Sequence, residues 1–374
     1  MIYLDNAATS FPKPETVYQS VDNILRNVGG NPGRASHRMA LEASRLVFHA
    51  REALAKAIGC ADSSRIVFTK NATEAINIAL KGFGLRPGDH VVTTSFEHNS
   101  VYKTVSRLEE EGIAVTRLSP TLEGFVDASA VERAITKKTR LVCVTHASNV
   151  FGTILPLGDI GAMLKTKGIP FMADGAQTVG AYPVDVGDID ILAGTGHKAL
   201  FGPQGTGFLY VREGIELGPL INGGTGDMDN LLEMPERLES GTMNTPGLGG
   251  LTAGIEFIMD TGISRIRAHE KALIGEIISG LESISGCRII GTPRPDRRAS
   301  LVSFTIEGLK TADIGVRLDE EFGIMVRTGA HCAPYAHREA GTYPDGAVRV
   351  SPGWFNTPEH IAEFMRAMRV IAKK

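Results

Sequence analysis

Thr195-Gly196-His197-Lys198 follows the apolar run 189–194 and precedes the glycine- and proline-rich loop 201–205. The run is short and ends in small residues, which indicates a β-strand that delivers Lys198 to a loop. Two other short apolar runs also lead to an ionisable residue, Asp174 and His98. In open α/β sheets the ligand crevice lies outside the carboxyl ends of the strands. The sequence therefore predicts that a lysine, an aspartate and a histidine converge on one ligand.

The order of the predicted elements favours an α/β fold. Between residues 65 and 211, seven runs of strand length alternate with helical patterns, which is typical of a mostly parallel sheet with right-handed crossovers. The seventh run follows a short glycine loop, so an antiparallel orientation is open for it. We predict a large α/β domain over 13–250. A smaller α+β domain over 251–374, joined by 1–12, is predicted to carry a loop that contains Cys332.

The composition is that of an ordinary globular protein, with 374 residues, 43% hydrophobic residues and a formal net charge of -3. The near-neutral charge does not favour nucleic acid or an anionic membrane as a partner. No apolar run approaches the ~20 residues that a membrane helix needs. The four cysteines include no CxxC pair, and the N-terminus lacks a signal-peptide pattern. We therefore expect a cytoplasmic protein.

Pyridoxal 5'-phosphate uses the pair of residue types found at Lys198 and Asp174. A lysine whose pKa is lowered by burial or by neighbouring cations attacks carbonyls, and such a lysine holds this cofactor through a Schiff base. An aspartate beside the pyridinium nitrogen keeps the ring protonated and makes it an electron sink. We therefore predict pyridoxal 5'-phosphate as the cofactor.

The other parts of such a site are also present. Gln177 lies three residues after Asp174 and is a candidate partner of the ring hydroxyl. His98 offers an aromatic face for stacking and a group for proton transfer. Backbone N–H groups at the start of a helix attract phosphate. The candidate phosphate ligands are Ala72, Thr73, Thr195 and His197.

Three of these residues also have an ordinary structural interpretation. Thr73 fits a helix cap, Asp174 a turn before Gly175, and His98 a surface histidine. Their order along the chain, and their shared position after predicted strands, favour the cofactor site over three unrelated roles.

Motifs along almost the whole chain resemble the class V aminotransferase family of pyridoxal-phosphate enzymes, fold type I. Within that family they are most similar to the second-group cysteine desulfurases and selenocysteine lyases. Single motifs are weak, and their joint order is what carries the resemblance. In chain order they are Tyr3-Leu4-Asp5-Asn6-Ala7-Ala8-Thr9, Asn71-Ala72-Thr73-Glu74-Ala75-Ile76-Asn77, Glu97-His98, Ser148-Asn149-Val150-Phe151-Gly152, Asp174-Gly175-Ala176-Gln177, Gly196-His197-Lys198, Glu239-Ser240-Gly241-Thr242, Arg327-Thr328-Gly329-Ala330-His331-Cys332-Ala333-Pro334 and Arg349-Val350-Ser351.

The resemblance implies a homodimer in which Lys198 carries the cofactor. It implies that Thr242 reaches the cofactor phosphate of the other subunit. Asn149 is implied to contact both cofactor and substrate, and Arg349 to clamp the substrate carboxylate with two hydrogen bonds. His37 is the third residue expected at the substrate.

Cys332 decides the reaction that the resemblance implies. The residue lies in a loop of small residues near Arg327, His331 and His337, and cationic neighbours lower the pKa of a thiol. The family reaction would convert L-cysteine to L-alanine, leave a persulfide on Cys332 and pass the sulfur to an acceptor protein. A metal site at these residues is not favoured, because no second Cys/His cluster has the usual ligand spacing.

Two alternatives stay open at this point. One is another class V enzyme, such as an aminotransferase, an epimerase or a selenocysteine lyase, that acts on a different amino acid. The other is a cofactor-binding subunit without activity. The chain also departs from the family pattern: Asn99 and Ala330 stand where histidines are frequent, the stretch 224–239 looks shorter, and 335–345 has no evident counterpart.

Overall fold

The computed structural model describes residues 1–33, 36–223 and 233–373. Within them the helices are α1 Glu15–Asn27, α2 Arg38–Ala57, α3 Ala72–Gly82, α4 Asn99–Glu110, α5 Ala128–Ala134, α6 Leu157–Thr166, α7 Thr245–Thr261, α8 Ile263–Glu282, α9 Thr311–Phe322, α10 Pro334–Glu339 and α11 Pro358–Ala372. The strands are β1 Ile2–Tyr3, β2 Ile66–Thr69, β3 His90–Thr94, β4 Ala114–Leu118, β5 Thr139–Thr145, β6 Phe171–Asp174, β7 Ile191–Thr195, β8 Gly207–Val211, β9 Cys287–Ile290, β10 Val302–Ile306, β11 Ile324–Met325, β12 Arg327–Gly329 and β13 Ala347–Val350.

The main sheet has seven strands in the order β2-β8-β7-β6-β5-β3-β4. Strands β3 to β7 pair in parallel, and β8 runs antiparallel to both β7 and β2. The prediction of an α/β fold with a mostly parallel seven-stranded sheet is confirmed. The register aligns Thr145 with Asp174, and Asp174 with Ala193, so that the carboxyl ends of β5, β6 and β7 lie together.

The central strands read as almost continuous apolar runs because helices cover both faces of the sheet. Two of the helices that follow strands of the large sheet, α3 and α4, begin at side-chain caps at the pocket edge, which satisfy backbone N–H groups of the first turn. Asn71 accepts from the backbone of Glu74 at the start of α3, and His98 accepts from the backbone of Ser100 at the start of α4. Both caps lie immediately after strand ends, so they fix the first helical turns at one edge of the sheet.

A second core lies around a four-stranded antiparallel sheet in the order β12-β13-β10-β9. Helices α8, α9 and α11 pack on it, and Leu4 joins this core from the N-terminal segment. Helix α7 packs on α1 and α2, and its buried residues Leu251 and Ile255 belong to the core of the large sheet. The division of the chain at residue 250 stays a prediction, and α7 packs as one unit across that position.

Two parts of the C-terminal region differ from expectation. The sequence over 324–328 predicts one strand, and in the structure this stretch is divided into β11, which pairs with β1, and β12, which pairs with β13. The segment after Cys332 contains a helix, α10, that its polar sequence does not indicate. Pro334 occupies the first turn, where a proline costs no hydrogen bond, and Ala336 is buried. The expectation of a shortened stretch over 224–239 falls largely on residues 224–232, which lie outside the described residues.

Across the described ranges, no helix is both long enough and apolar enough to span a membrane.

Candidate active site

A pocket of about 200 Å³ lies at the carboxyl ends of the strands of the large sheet. Most of the residues predicted for the cofactor and the substrate line it. They are Ala72, Thr73, His98, Asn149, Asp174, Gln177, Thr195, His197, Lys198 and Arg349. The structure thus brings together residues from distant parts of the sequence, at the edge where strand ends and helix starts meet.

Lys198 and Asp174 face the same pocket from the ends of β7 and β6. Burial lowers the pKa of Lys198 to about 8, and the nearby Asp174 carboxylate opposes this shift. An amine with this pKa is partly neutral near neutral pH, and the neutral amine is the nucleophilic form. Burial raises the pKa of Asp174, while the backbone N–H of Ala176 donates to its carboxylate at 2.9 Å and counteracts that rise.

His98 is held as a neutral imidazole in a fixed orientation. Its Nδ1 accepts from the backbone N–H of Ser100 at 3.2 Å and lies 2.7 Å from the Ser100 hydroxyl. Because Nδ1 is an acceptor here, the ring proton is assigned to Nε2. Burial, and the nearby Lys198 ammonium, lower the pKa of His98 to about 4.

The start of α3 forms the end of the pocket that suits an anion. Backbone N–H groups of the first turn are unpaired within a helix and carry its positive dipole end. Strand β8 passes close to the start of α3 at Gly207. A Cβ at this position would come within 2.6 Å of the Asn71 backbone, so glycine allows the two segments to pack this closely. The Thr73 hydroxyl lies 2.8 Å from that of Ser100. His197 Nδ1 is buried and has no hydrogen-bond partner among the described residues, so a donor or acceptor site is left for a ligand.

Arg349 also lines the pocket and is 1% exposed. Its Nη2 donates to Asp5 at 2.9 Å and its Nη1 to the carbonyl of Asn149 at 3.2 Å. Within the described part of the chain, Arg349 Nε and Asn149 Oδ1 are buried without partners. Unpaired buried polar atoms are costly, and a bound polar molecule would satisfy them.

Cys332 is exposed at the rim of the pocket. Arg327, which lines the pocket, donates from Nη2 to Cys332 Sγ at 3.2 Å. Cys332 and His331 both have left-handed backbone conformations, with φ of 58° and 50°. Their carbonyls accept hydrogen bonds from the Asn99 backbone at 2.9 Å and from Asn149 Nδ2 at 2.6 Å.

The two histidines near Cys332 are not cations, contrary to the expectation from sequence. His331 Nδ1 lies 3.3 Å from His337 Nε2, and His337 Nδ1 lies 2.7 Å from the Thr342 hydroxyl. Burial lowers the pKa of His331 to about 2 and that of His337 to about 4. Arg327 is therefore the positive neighbour that contacts the thiol. In the described residues, no group of three or more His, Cys, Asp or Glu could hold a metal ion.

The family model for class-V aminotransferases matches residues 2–364. The chain belongs to the class-V aminotransferase family. This confirms the family resemblance inferred from the motifs.

Relatives and solved structures extend the comparison over the full length. A probable cysteine desulfurase from Methanothermobacter thermautotrophicus is 37% identical, over 99% of this chain and 94% of the relative. A cysteine desulfurase structure from Thermococcus onnurineus, solved in its apo form, has a TM-score of 0.94 at 35% identity and covers 100% of this chain and 94% of that one. A cysteine desulfurase structure from Escherichia coli has a TM-score of 0.88 at 28% identity, with 98% and 94% coverage.

Two predicted site residues of this class-V aminotransferase family member lie outside the pocket of their own chain. Thr242 is exposed, and its hydroxyl accepts from Asn31 Nδ2 at 3.4 Å. His37 is exposed and caps α2 by accepting from the backbone of Ala40 at 3.3 Å. Their roles stay predictions.

The structure also adds residues that sequence reasoning gave no role in the site. Asp5 pairs with Arg349, and Ser100 orients His98. Asp5 lies within a quoted motif and Ser100 lies two residues after His98, but neither motif nor spacing indicates these contacts. The Asp5 pairing joins residues 344 positions apart, and only the tertiary structure shows it.

Proposed function

We propose that this class-V aminotransferase family member is a pyridoxal-phosphate-dependent cysteine desulfurase. It would convert L-cysteine to L-alanine and retain the sulfur as a persulfide on Cys332. The observation that carries the proposal is the position of Cys332, whose thiol contacts Arg327 at the rim of the pocket that holds Lys198 and Asp174. The cysteine desulfurases among its relatives and structural neighbours support the same reaction.

The residues of the pocket fit pyridoxal 5'-phosphate. Lys198 would hold it covalently, Asp174 would pair with its ring nitrogen, and His98 would stack on the ring. The phosphate would meet the start of α3 and the unpaired Nδ1 of His197. When bound, the cofactor supplies an electron sink for negative charge at the substrate Cα.

Different side chains of the pocket and its rim would then act in different steps of the reaction. The unpaired Nε of Arg349 is available to the substrate carboxylate, and the partly neutral amine of Lys198 can take the Cα proton. The Cys332 thiolate attacks the substrate sulfur. An S–S bond forms as the Cβ–S bond breaks, and the carbon skeleton keeps the bonding electron pair. The proton of the substrate thiol then goes to Cβ and the removed proton returns to Cα, with Lys198 and His98 as the proton carriers, so that alanine leaves and the persulfide stays on Cys332.

The test is to incubate the protein with pyridoxal phosphate, L-cysteine and a reductant, and to quantify alanine and sulfide together. Equal amounts of both are expected. Cys332→Ala should lose turnover by at least about 100-fold, because no other thiol lies at the pocket in the described chain. Cys60→Ala is the matched control and should keep turnover. Full turnover by Cys332→Ala, or turnover of a different amino acid only, would favour another class V activity.

We also propose a homodimer in which His37 and Thr242 complete the pocket of the other subunit. Exposed apolar side chains on α1 and α2 support a covered surface there: Tyr18, Leu25, Leu41 and Phe48. Light scattering should give about twice the chain mass of 40.0 kDa, and a monomer mass would contradict the proposal.

The setting proposed for this reaction is the cytoplasm, with a protein as the sulfur acceptor. Cys60, Cys143, Cys287 and Cys332 are all free thiols, which fits a reducing compartment. Fractionation of cells should recover the protein with soluble cytoplasmic enzymes, and recovery in another compartment would contradict this setting.

A further inference from the structure

A stack of two tyrosines joins α4 to α10 beside the pocket. The rings of Tyr102 and Tyr335 lie 3.6 Å apart between centroids at an interplanar angle of 17°. The guanidinium of Arg117 lies 4.9 Å from the Tyr102 ring centre, and that of Arg338 lies 4.9 Å from the Tyr335 ring centre. Stacked rings flanked by cations gain from both π–π and cation–π attraction. We call Tyr102 and Tyr335 the tyrosine clamp.

The tyrosine clamp ties together the two segments that carry His98 and Cys332. Tyr102 lies one helical turn after His98, the cap of α4. Tyr335 lies in the first turn of α10, three residues after Cys332. Between these points, the backbone N–H of Asn99 donates to the carbonyl of Cys332 at 2.9 Å. The tyrosine stack and this hydrogen bond therefore connect the start of α4 to the segment on both sides of Cys332.

Cys332 needs such support because its backbone is strained. Both Cys332 and His331 have positive φ, a backbone conformation that residues other than glycine adopt only when surrounding contacts hold them. The thiol is exposed, so its own packing contributes little. In the described chain, the contacts that can hold it are the Arg327 hydrogen bond to its sulfur, the two hydrogen bonds to the carbonyls of 331 and 332, and the start of α10.

We propose that Tyr335, stacked on Tyr102, is a positioning residue that holds the Cys332 thiol beside Arg327 at the pocket. This rests on the proposed role of Cys332 as the sulfur-accepting nucleophile. The clamp itself touches neither substrate nor cofactor, and it acts through the segment that connects Tyr335 to Cys332.

The first experiment reads the position of the thiol without any turnover. Cys332 is alkylated with iodoacetate, which is an anion, and with iodoacetamide, which is neutral. The quantity measured is the rate constant for iodoacetate divided by the rate constant for iodoacetamide. The ratio does not depend on the thiolate fraction, because both reagents react with the same thiolate. A guanidinium 3.2 Å from the sulfur favours the anion, so Tyr335→Ala should lower the ratio by at least about twofold.

The variants separate positioning from simple loss of stability. Tyr335→Phe keeps the stack and should keep the ratio. Tyr343→Ala is the matched control, because Tyr343 also contacts Arg338, at 4.7 Å, but is 50% exposed and is not stacked on Tyr102. Arg327→Ala should lower the ratio as far as Tyr335→Ala does. Tyr335→Leu serves if the alanine variant does not fold, and it should behave as that variant does.

The second experiment measures turnover of L-cysteine with pyridoxal phosphate. Tyr335→Ala should lower kcat by about 2- to 10-fold, the range that an aromatic pair is worth, with KM nearly unchanged. Tyr102→Ala should match it, and the double variant should be no worse than either single one. The cofactor absorbance should be that of the original protein in all three.

The outcomes are distinguishable from failure of the proposed function. If the protein makes no alanine and sulfide, the desulfurase proposal fails, and the alkylation ratio still tests the clamp. If Tyr335→Ala and Tyr335→Phe give the same ratio as the original protein, the clamp does not position Cys332 and the inference is overturned. An equal fall in Tyr343→Ala would also overturn it.

Discussion

The pocket around Lys198 and the segment around Cys332 are built in opposite ways. Lys198 and Asp174 lie at the ends of paired strands, in a sheet whose register fixes their positions relative to each other. Cys332 lies between β12 and a six-residue helix, in left-handed backbone conformation and exposed. A group that must keep its geometry is thus placed on the sheet. The group for which we propose contact with substrate and then release of sulfur is placed on a short segment held by few contacts.

The pocket and the Cys332 segment also differ in their electrostatics. Burial lowers the pKa of Lys198 to about 8 and those of His98 and His197 to about 4, so near neutral pH both histidines are neutral and a fraction of the Lys198 amine is neutral as well. At the rim, the Cys332 thiol contacts the guanidinium of Arg327. The pocket is suited to proton transfer, and the rim is suited to stabilising a thiolate.

The largest expected effect concerns the pocket around Lys198. Lys198→Ala should abolish the absorbance change on adding pyridoxal phosphate and lower turnover by at least about a thousandfold, because both covalent attachment and proton transfer are lost. Cys332→Ala, by contrast, should lose turnover and keep the absorbance change. Both are measured by titration of the protein with the cofactor and by alanine release.

The control for Lys198→Ala is Lys165→Ala, which removes an exposed lysine on α6 that pairs with Asp188 on the surface. It should leave absorbance and turnover unchanged. Turnover by Lys198→Ala within about tenfold of the original protein would mean that the lysine is not the attachment point.

The same contrast explains which parts of the site can be predicted from the sequence and which cannot. Short apolar runs predict the strands, and because parallel strands end at one edge, the sequence alone places Lys198, Asp174 and His98 in one pocket. The Cys332 segment offers no such periodicity. Its helix α10 is six residues long and polar on most positions, and its stack on Tyr102 joins two segments that are far apart in the chain. The neutrality of His331 follows from burial, which a local pattern does not show.

A second prediction tests whether the sheet alone makes the pocket rigid. The side chain of Arg298 is fully buried and donates to the carbonyls of Phe151, Ile290, Thr292 and Leu301. It thereby joins the loop after β5, which carries Asn149, to the end of β9. Arg298→Ala leaves these buried acceptors unpaired and should lower the free energy of unfolding by about 3 kcal/mol.

Urea denaturation measures this loss, and the neighbouring Arg297→Ala is the matched control because Arg297 is exposed. The control should change the free energy of unfolding by less than about 0.5 kcal/mol. If the two variants are equally stable, the buried guanidinium is not a link between the two cores, and the strand register alone holds the Asn149 loop.

The smallest expected effect concerns Glu97, a buried carboxyl directly before His98. Its Oε1 accepts from the Thr94 hydroxyl at 2.6 Å and from the Thr145 backbone at 2.9 Å, and burial raises the pKa of Glu97 from 4.5 to about 8. Between these two values the unfolded chain releases this proton and the folded protein keeps it. The contribution of Glu97 to stability therefore falls as the pH rises through this window.

Glu97→Gln removes the titration while keeping an oxygen for both hydrogen bonds. Relative to the original protein, this variant should gain about 1–2 kcal/mol in free energy of unfolding between pH 6 and pH 8, measured by urea denaturation at each pH. The exposed Glu52→Gln should show no such gain. Asp174 and Glu270 are also buried carboxyls with raised pKa values, but they are present in all three proteins and cancel. A difference that stays constant from pH 6 to pH 8 would mean that Glu97 is ionised in the folded protein. A buried negative charge would then interact with Asp174 on the strand-end side of the comparison, where we expect burial to keep the Glu97 carboxyl neutral.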